Sequence, residues 1–280
     1  MNKIDGGTRV AFQGEPGAFS QIAARKLLGE DVKTVACATF ESLFSAITEG
    51  RADLILAPLE NTLAGPVLRC YDLLYQSELR MVGEVVLRIG HCVIGVPGAK
   101  LDAVRKIHSH PVALAQCERF FSTHSEIARA VAEDTAGSVR MVMEKGDVTQ
   151  AAIAGESAAR EYGAEVLATS VEDDAKNYTR FGLLLPEAKA EKIEGADATA
   201  LVLTVANRPG SLFRLLEPFA ANDVDLMSLV SRPLVGEPWH YRFFLEVAAA
   251  EDDPRMQKAL AELEPRAVEL RILGSYRGGK

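Results

Sequence analysis

The run Asp53-Leu54-Ile55-Leu56-Ala57-Pro58 is apolar at every position between Asp53 and Pro58, so a strand there has no face to give to water. Such a strand belongs inside a sheet that helices cover on both sides. The preceding residues supply the layers. Arg9-Val10-Ala11-Phe12 reads as a strand, and a helix follows that turns Phe19, Ile22, Ala23 and Leu27 inward and stops at Gly29. Val32 to Ala38 is a second strand. Thr39 stands where an N-cap is needed, with Ser42 in place of a capping-box Glu, so the box is expected to be incomplete. Phe40, Leu43, Phe44 and Ile47 then form an apolar stripe that ends at Gly50. Strand and helix alternate, which predicts an α/β fold.

Only Gly90 separates the strand-like runs Val85 to Ile89 and His91 to Val96, which suggests a crossing into a second lobe. Helices are expected from Pro111 to about Ser122 and from Gln150 to Tyr162, with Thr179 to Leu185 carrying the chain back. One domain over residues 8–187 follows, with lobe 1 at 8–88 and 179–187 and lobe 2 at 91–177. Two crossings imply a cleft at the hinge, a favoured place for ligands. Residues 188–197 are charged with little bulk and read as a linker. The remainder, 198–280, orders as strand (Ala198 to Val205), helix (Gly210 to Asn222), strand (Val224 to Val230), strand (His240 to Val247), helix (Pro254 to Leu263) and strand (Ala267 to Leu273). That βαββαβ order is a ferredoxin-like unit.

Charge and composition exclude several functions. A net charge of −8 and a pI near 5.3 leave no basic footprint for nucleic acid. The start, Met1 to Gly7, lacks the apolar core of a signal peptide, and no stretch is long enough to span a membrane. Cys37, Cys70, Cys92 and Cys117 are widely spaced and read as buried thiols in a reducing cytoplasm. The histidines show no ligand spacing, so no metal is expected.

Polar residues at strand ends are the candidates for chemistry. Asn177-Tyr178-Thr179-Arg180-Phe181 leads into the apolar run Gly182-Leu183-Leu184-Leu185, placing a hydroxyl and a guanidinium at the mouth of a buried strand. Glu60-Asn61-Thr62 begins at the carboxyl end of the third strand, and a helix starting after Gly65 would offer backbone amides to an anion. Ser109-His110-Pro111 precedes a helix that carries Gln116; His110 reads as a local hydrogen-bonding residue or a general base.

Taken in order, these motifs, with Gly14-Glu15-Pro16-Gly17-Ala18-Phe19-Ser20 before them, resemble those of the prephenate dehydratase family. The C-terminal unit resembles that family's ACT regulatory domain through Asn207-Arg208-Pro209-Gly210-Ser211-Leu212 and Ser231-Arg232-Pro233. The likeness runs from about residue 8 to 275. Ala18 stands where the family usually has Thr, and Val230 where it has Glu. The resemblance implies a two-lobed, periplasmic-binding-protein-like (type II) α/β catalytic domain followed by the βαββαβ ACT domain. It also implies a monofunctional cytoplasmic enzyme, a homodimer or homotetramer, that needs no cofactor.

The implied reaction is the decarboxylating dehydration of prephenate to phenylpyruvate, on the way to L-phenylalanine. By the resemblance, Thr179 donates a proton to the departing hydroxyl and Arg180 orients a substrate carboxylate. Asn61, Thr62, Gly65, Phe181, Ser20, His110 and Gln116 would surround the substrate. L-Phenylalanine would bind as effector around Asn207, Pro209, Gly210, Ser211 and Leu212, with Ser231, Arg232 and Pro233. An arogenate dehydratase is the alternative with the same chemistry, and a non-catalytic small-molecule-binding protein the alternative without it.

Overall fold

The computed structural model describes residues 7–278, so the start read above at Met1 to Gly6 and the last two positions of the C-terminal unit lie outside the described residues. The first elements are β1 (Arg9–Gln13), α1 (Phe19–Leu28), β2 (Lys33–Cys37), α2 (Phe40–Thr48), β3 (Leu54–Asn61), β4 (Gly65–Pro66), α3 (Leu68–Gln76) and β5 (Leu79–Arg88). Next come β6 (Cys92–Gly95), β7 (Lys106–Ser109), α4 (Pro111–Ala115), α5 (Glu118–Thr123), β8 (Ala128–Val131), α6 (Thr135–Lys145), β9 (Gln150–Ala154) and α7 (Glu156–Tyr162). The chain continues through β10 (Glu165–Ala168), β11 (Tyr178–Pro186), β12 (Ala198–Thr204), α8 (Ser211–Ala221), β13 (Leu226–Pro233), β14 (Tyr241–Val247), α9 (Pro254–Leu263) and β15 (Glu269–Tyr276). Two compact units result among the described residues, one of residues 7–65 with Val86–Phe181, the other of Pro66–Val85 with residues 182–278.

In the first unit β1 lies parallel between β2 and β3, with Val10 opposite both Thr34 and Leu54. Leu54 to Leu59 of β3 are all buried, as their continuous apolarity requires. A separate five-stranded sheet has the order β10-β6-β9-β7-β8, in which β7 pairs parallel with β8 and β9 while β6 runs antiparallel to β9 and β10. One apolar cluster joins Phe12 and Ala18 to Ile94, Val139, Ala154 and Ala158. Gly17 sits in that seam at φ +86°, where a Cβ would come within 2.7 Å of the Ala158 backbone.

Three local expectations change. Residues 150–162 form strand β9, an extended N-cap at Gly155 and the short helix α7. The alanines of β9 are wholly buried in mid-sheet, where small side chains let helices approach, and that packing overrides their helix propensity. The helix expected from Pro111 to Ser122 breaks after Ala115, because the Asp173 carboxylate starts a new helix by accepting from the backbone N–H of Glu118 (2.8 Å) and of Arg119 (2.9 Å). The capping box of α2 is complete after all. The Ser42 hydroxyl accepts from Thr39 N–H and Thr39 Oγ1 accepts from Ser42 N–H, both at 3.1 Å.

The second unit holds the antiparallel sheet β13-β14-β12-β15 in the chain order β12-α8-β13-β14-α9-β15, the expected βαββαβ arrangement. Helices α8 and α9 cover one face through Leu215, Phe219, Met256 and Leu263 against Leu201 and Leu245. Helix α3 belongs to this unit too. Arg232 of β13 grips Asp72 with two hydrogen bonds (2.8 and 2.6 Å), and the Arg242 guanidinium lies 3.3 Å from the Tyr75 ring centre. No helix among the described residues is long and apolar enough to cross a membrane.

Candidate active site

Asn61 ends β3, and its side chain gathers the start of β11. Its Oδ1 accepts from the backbone N–H of Leu63 (3.0 Å) and Ala64 (2.9 Å), an Asx-type turn that follows from an Asn leaving a strand. Its Nδ2 donates to Asn177 Oδ1 (2.7 Å), Thr179 Oγ1 (2.9 Å) and Tyr178 O (3.1 Å). The two amide protons thus serve three acceptors. Beside it Thr62 clamps the same segment: its hydroxyl donates to Lys176 O (2.9 Å) and accepts from Tyr178 N–H (3.0 Å). The Thr62 hydroxyl expected for substrate is therefore engaged with backbone.

Behind Asn61 lies a second layer. Asn177 is wholly buried, and its Nδ2 donates to Gln116 Oε1 at 2.9 Å. The same oxygen stands 3.1 Å from His91 Nε2. His91 is also buried; its backbone N–H donates to Glu172 Oε2 (2.8 Å), and Arg88 pairs with the other Glu172 oxygen at 2.7 Å. The edge-on Phe19 ring lies 5.8 Å away. Burial holds the His91 imidazole below its ordinary pKa, while Gln116 and the Glu172 charge pull partly against that. His91 Nδ1 is buried and has no hydrogen-bond partner.

The structure thus brings together Asn61, Gln116 and Thr179, and adds Asn177, which opens the Asn177-Tyr178-Thr179-Arg180-Phe181 motif without an assigned role there, and His91, which lies in none of the motifs. Arg180 stands 3.6 Å from Glu60 Oε2, with only 16% of its side chain exposed. Phe181 is 2% exposed and packs as a core residue. Ser20 is buried in the first turn of α1, with no recorded bond to this group. His110 caps α4, its Nδ1 accepting from Val112 N–H at 3.2 Å, and burial lowers its pKa. Gly65 takes φ +81° in β4, and the following helix starts only at Leu68. Among the described residues no group of His, Cys, Asp or Glu is placed to hold a metal.

In the second unit Asn207, Gly210, Ser211 and Leu212 line a cavity of about 220 Å³ with Trp239 and Tyr241. Asn207 Nδ2 donates to Trp239 O at 3.0 Å. Pro209 uses its carbonyl to accept from Arg214. Ser231, Arg232 and Pro233 lie on β13 outside that lining, with Arg232 held by Asp72.

A family model for prephenate dehydratase matches residues 10–189, and one for the ACT domain matches 199–265. The chain belongs to the prephenate dehydratase family. Among its relatives is arogenate dehydratase/prephenate dehydratase 1, chloroplastic, of Arabidopsis thaliana, 36% identical over 97% of this chain and 72% of the relative. The structure of a prephenate dehydratase from Arthrobacter aurescens in complex with L-Phe superposes with a TM-score of 0.88 at 29% identity, over 97% of this chain and 90% of that one. A protein described as GqqA, a novel type of quorum quenching acylase, superposes with a TM-score of 0.89 at 35% identity, over 96% and 98% of the two chains. Membership of the dehydratase family makes the chain a hydro-lyase, and its α/β architecture carries the ACT domain at its C-terminal end.

Proposed function

We propose that the chain converts prephenate to phenylpyruvate. The carbon–carbon bond to the ring carboxylate breaks and releases carbon dioxide. Its electron pair enters the ring, and the ring hydroxyl leaves as water after taking a proton. Hydroxide is a poor leaving group, so a donor at that oxygen is the main chemical requirement, and aromatisation supplies the drive. The observation that carries the reading is the Asn61 amide donating to Thr179 Oγ1. With one lone pair so engaged, the Thr179 proton is left for another acceptor, and none is recorded for it among the described residues. Arg180 is the fork for a substrate carboxylate. It best serves the pyruvyl end, since a tight grip on the departing carboxylate would favour the ground state.

An acyl transfer of the kind named for GqqA needs an activated nucleophile. The Cys117 thiol is buried and pushed up to about 12, and Thr179 Oγ1 meets an amide donor rather than a base. Both favour the elimination. Arogenate, with an amino group in place of the keto group, fits the same chemistry and is named for the plant relative.

L-Phenylalanine is proposed as effector at the cavity of Asn207, Leu212 and Trp239, in keeping with the ligand named for the Arthrobacter structure. Exposed Leu212, Phe213 and Trp239 at that cavity support a paired ACT assembly, hence a homodimer or homotetramer. Purified protein assayed for phenylpyruvate from prephenate, with arogenate run in parallel, tests the function. Turnover of prephenate is expected. Turnover of arogenate alone would move the enzyme to the amino substrate, and inactivity with both would overturn the reading.

A further inference from the structure

Hydrogen bonds between side-chain amides have a direction, and here the backbone fixes it. The backbone N–H groups of Leu63 and Ala64 can only donate, so the Asn61 atom facing them is oxygen, and the atom facing the carbonyl of Tyr178 is nitrogen. Asn177 must then present oxygen to Asn61 and nitrogen to Gln116. Gln116 must present oxygen to both Asn177 and His91. His91 must therefore carry its proton on Nε2, leaving the partnerless Nδ1 bare. The order has a consequence at each end. Thr179 Oγ1 accepts a hydrogen bond from the Asn61 amide, so its own proton turns elsewhere. Gln116 Oε1 is held twice, so its Nε2 amide points away from the relay, and no protein acceptor is recorded for it among the described residues.

We propose that His91 and Asn177 are positioning residues: through Gln116 and Asn61 they fix a one-way hydrogen-bond order that leaves the Thr179 hydroxyl proton and the Gln116 amide as donors for the substrate. The role rests on the dehydratase reading for its catalytic purpose, but the order itself does not. Without the His91 donor, the Gln116 amide loses one of the two bonds that hold its oxygen inward and can turn that oxygen toward the substrate anion. A reversed Gln116 presents Nε2 to Asn177 Nδ2, and the conflict passes along the chain to Thr179. Burial keeps the imidazole neutral, with Glu172, itself paired to Arg88, as the charged neighbour against it.

Two measurements test this. Nitrogen NMR of histidine-labelled protein reads the tautomer directly; neutral His91 protonated on Nε2 is expected, and a proton on Nδ1 overturns the order. Steady-state kinetics then compare His91→Gln, whose amide nitrogen falls near the lost Nε2, with His91→Phe, which keeps bulk and loses the donor. His91→Phe is expected to lower kcat/KM about tenfold or more, with KM rising as Gln116 turns its oxygen to the substrate anion and kcat falling as Thr179 loses its direction, and His91→Gln to recover most of the loss. Equal activity in the two variants overturns the positioning role. A wild-type chain inert toward prephenate and arogenate would instead overturn the dehydratase reading, and the tautomer would still decide the hydrogen-bond order.

Discussion

Asn61 and Thr179 stand 118 positions apart in the chain, and the Asn61 amide donates to the Thr179 hydroxyl oxygen at 2.9 Å. A threonine hydroxyl is too weak an acid to give up its proton outright, so its value as a donor lies in the hydrogen bond it aims at the departing oxygen. Removing it should act on the transition state more than on binding. Thr179→Ala is expected to lower kcat by about 10²–10⁴, the range for a positioned proton donor, with KM little changed, and Thr179→Ser to keep most of the rate. Steady-state rates with prephenate check this; an alanine variant at full speed would remove Thr179 from the chemistry.

Asn61→Asp separates the two ends of the same side chain. A carboxylate still accepts from Leu63 and Ala64, but its other oxygen faces Asn177 Oδ1 and Tyr178 O, both acceptors. Buried Asn177 then loses a donor, a loss of about 1–3 kcal/mol. Urea unfolding should show that drop, together with a fall in kcat of tenfold or more. Asn61→Asp with wild-type stability would mean that the strand ends do not depend on this amide.

Much of the architecture could be read from the chain because it depends on local patterns. The apolar run Leu54 to Ala57 demanded a covered strand, and the alternation after Ala198 gave βαββαβ. Where the fold departs from the local pattern, a distant partner decides the structure. Asp173 splits the helix after Ala115 from 55 residues beyond Glu118. Sheet burial turns the alanine-rich start of 150–162 from helix to strand.

The site divides in the same way. Asn61, Gln116 and Thr179 lie in short motifs, whereas His91 follows a glycine between two apolar runs and carries no spacing signal at all. Its place in the hydrogen-bonded group comes from Gln116, 25 residues on, and from burial that only the folded chain creates. Arg232 likewise finds Asp72 from 160 positions away.

Gly17 and Gly29 share a positive φ but not their surroundings. A Cβ on Gly17 would lie 2.7 Å from Ala158 Cα, where only backbone movement gives room, whereas one on Gly29 meets nothing within 4 Å. At φ 104° and ψ 154° Gly29 holds a backbone conformation that essentially only glycine adopts, so Gly29→Ala should lose that strain alone, about 1–3 kcal/mol. Gly17→Ala should add an overpacking penalty of about 1–3 kcal/mol to it. Urea midpoints of the two variants give the comparison, and equal losses would mean that the seam between α1 and α7 yields freely.

Trp239 is the chain's one tryptophan, 77% exposed, at φ +66°, with its carbonyl bound by Asn207. An amino acid seated in the cavity of Asn207 and Leu212 would remove its indole from water. Titration with L-phenylalanine should shift its emission to the blue and raise the melting temperature, as any ligand of the native state does. Emission and melting temperature both unmoved at high effector would remove L-phenylalanine from this cavity.

Acid should weaken the fold through His91 before most carboxylates matter. Burial lowers its pKa below the ordinary 6.5, so the unfolded chain takes up a proton that the folded chain refuses. The His91 contribution is thus whole above pH 6.5 and falls as pH drops toward the folded-state pKa, by up to about 1.4 kcal/mol per pH unit for one proton. His108 and His110, also lowered mainly by burial, act in the same sense. Urea unfolding between pH 7 and 5.5 should show a falling midpoint in the parent protein and a shallower fall in His91→Gln, which has no imidazole to protonate. Equal slopes would mean that His91 takes its proton as readily in the folded protein as in the unfolded chain, and that its cage does not exclude the cation.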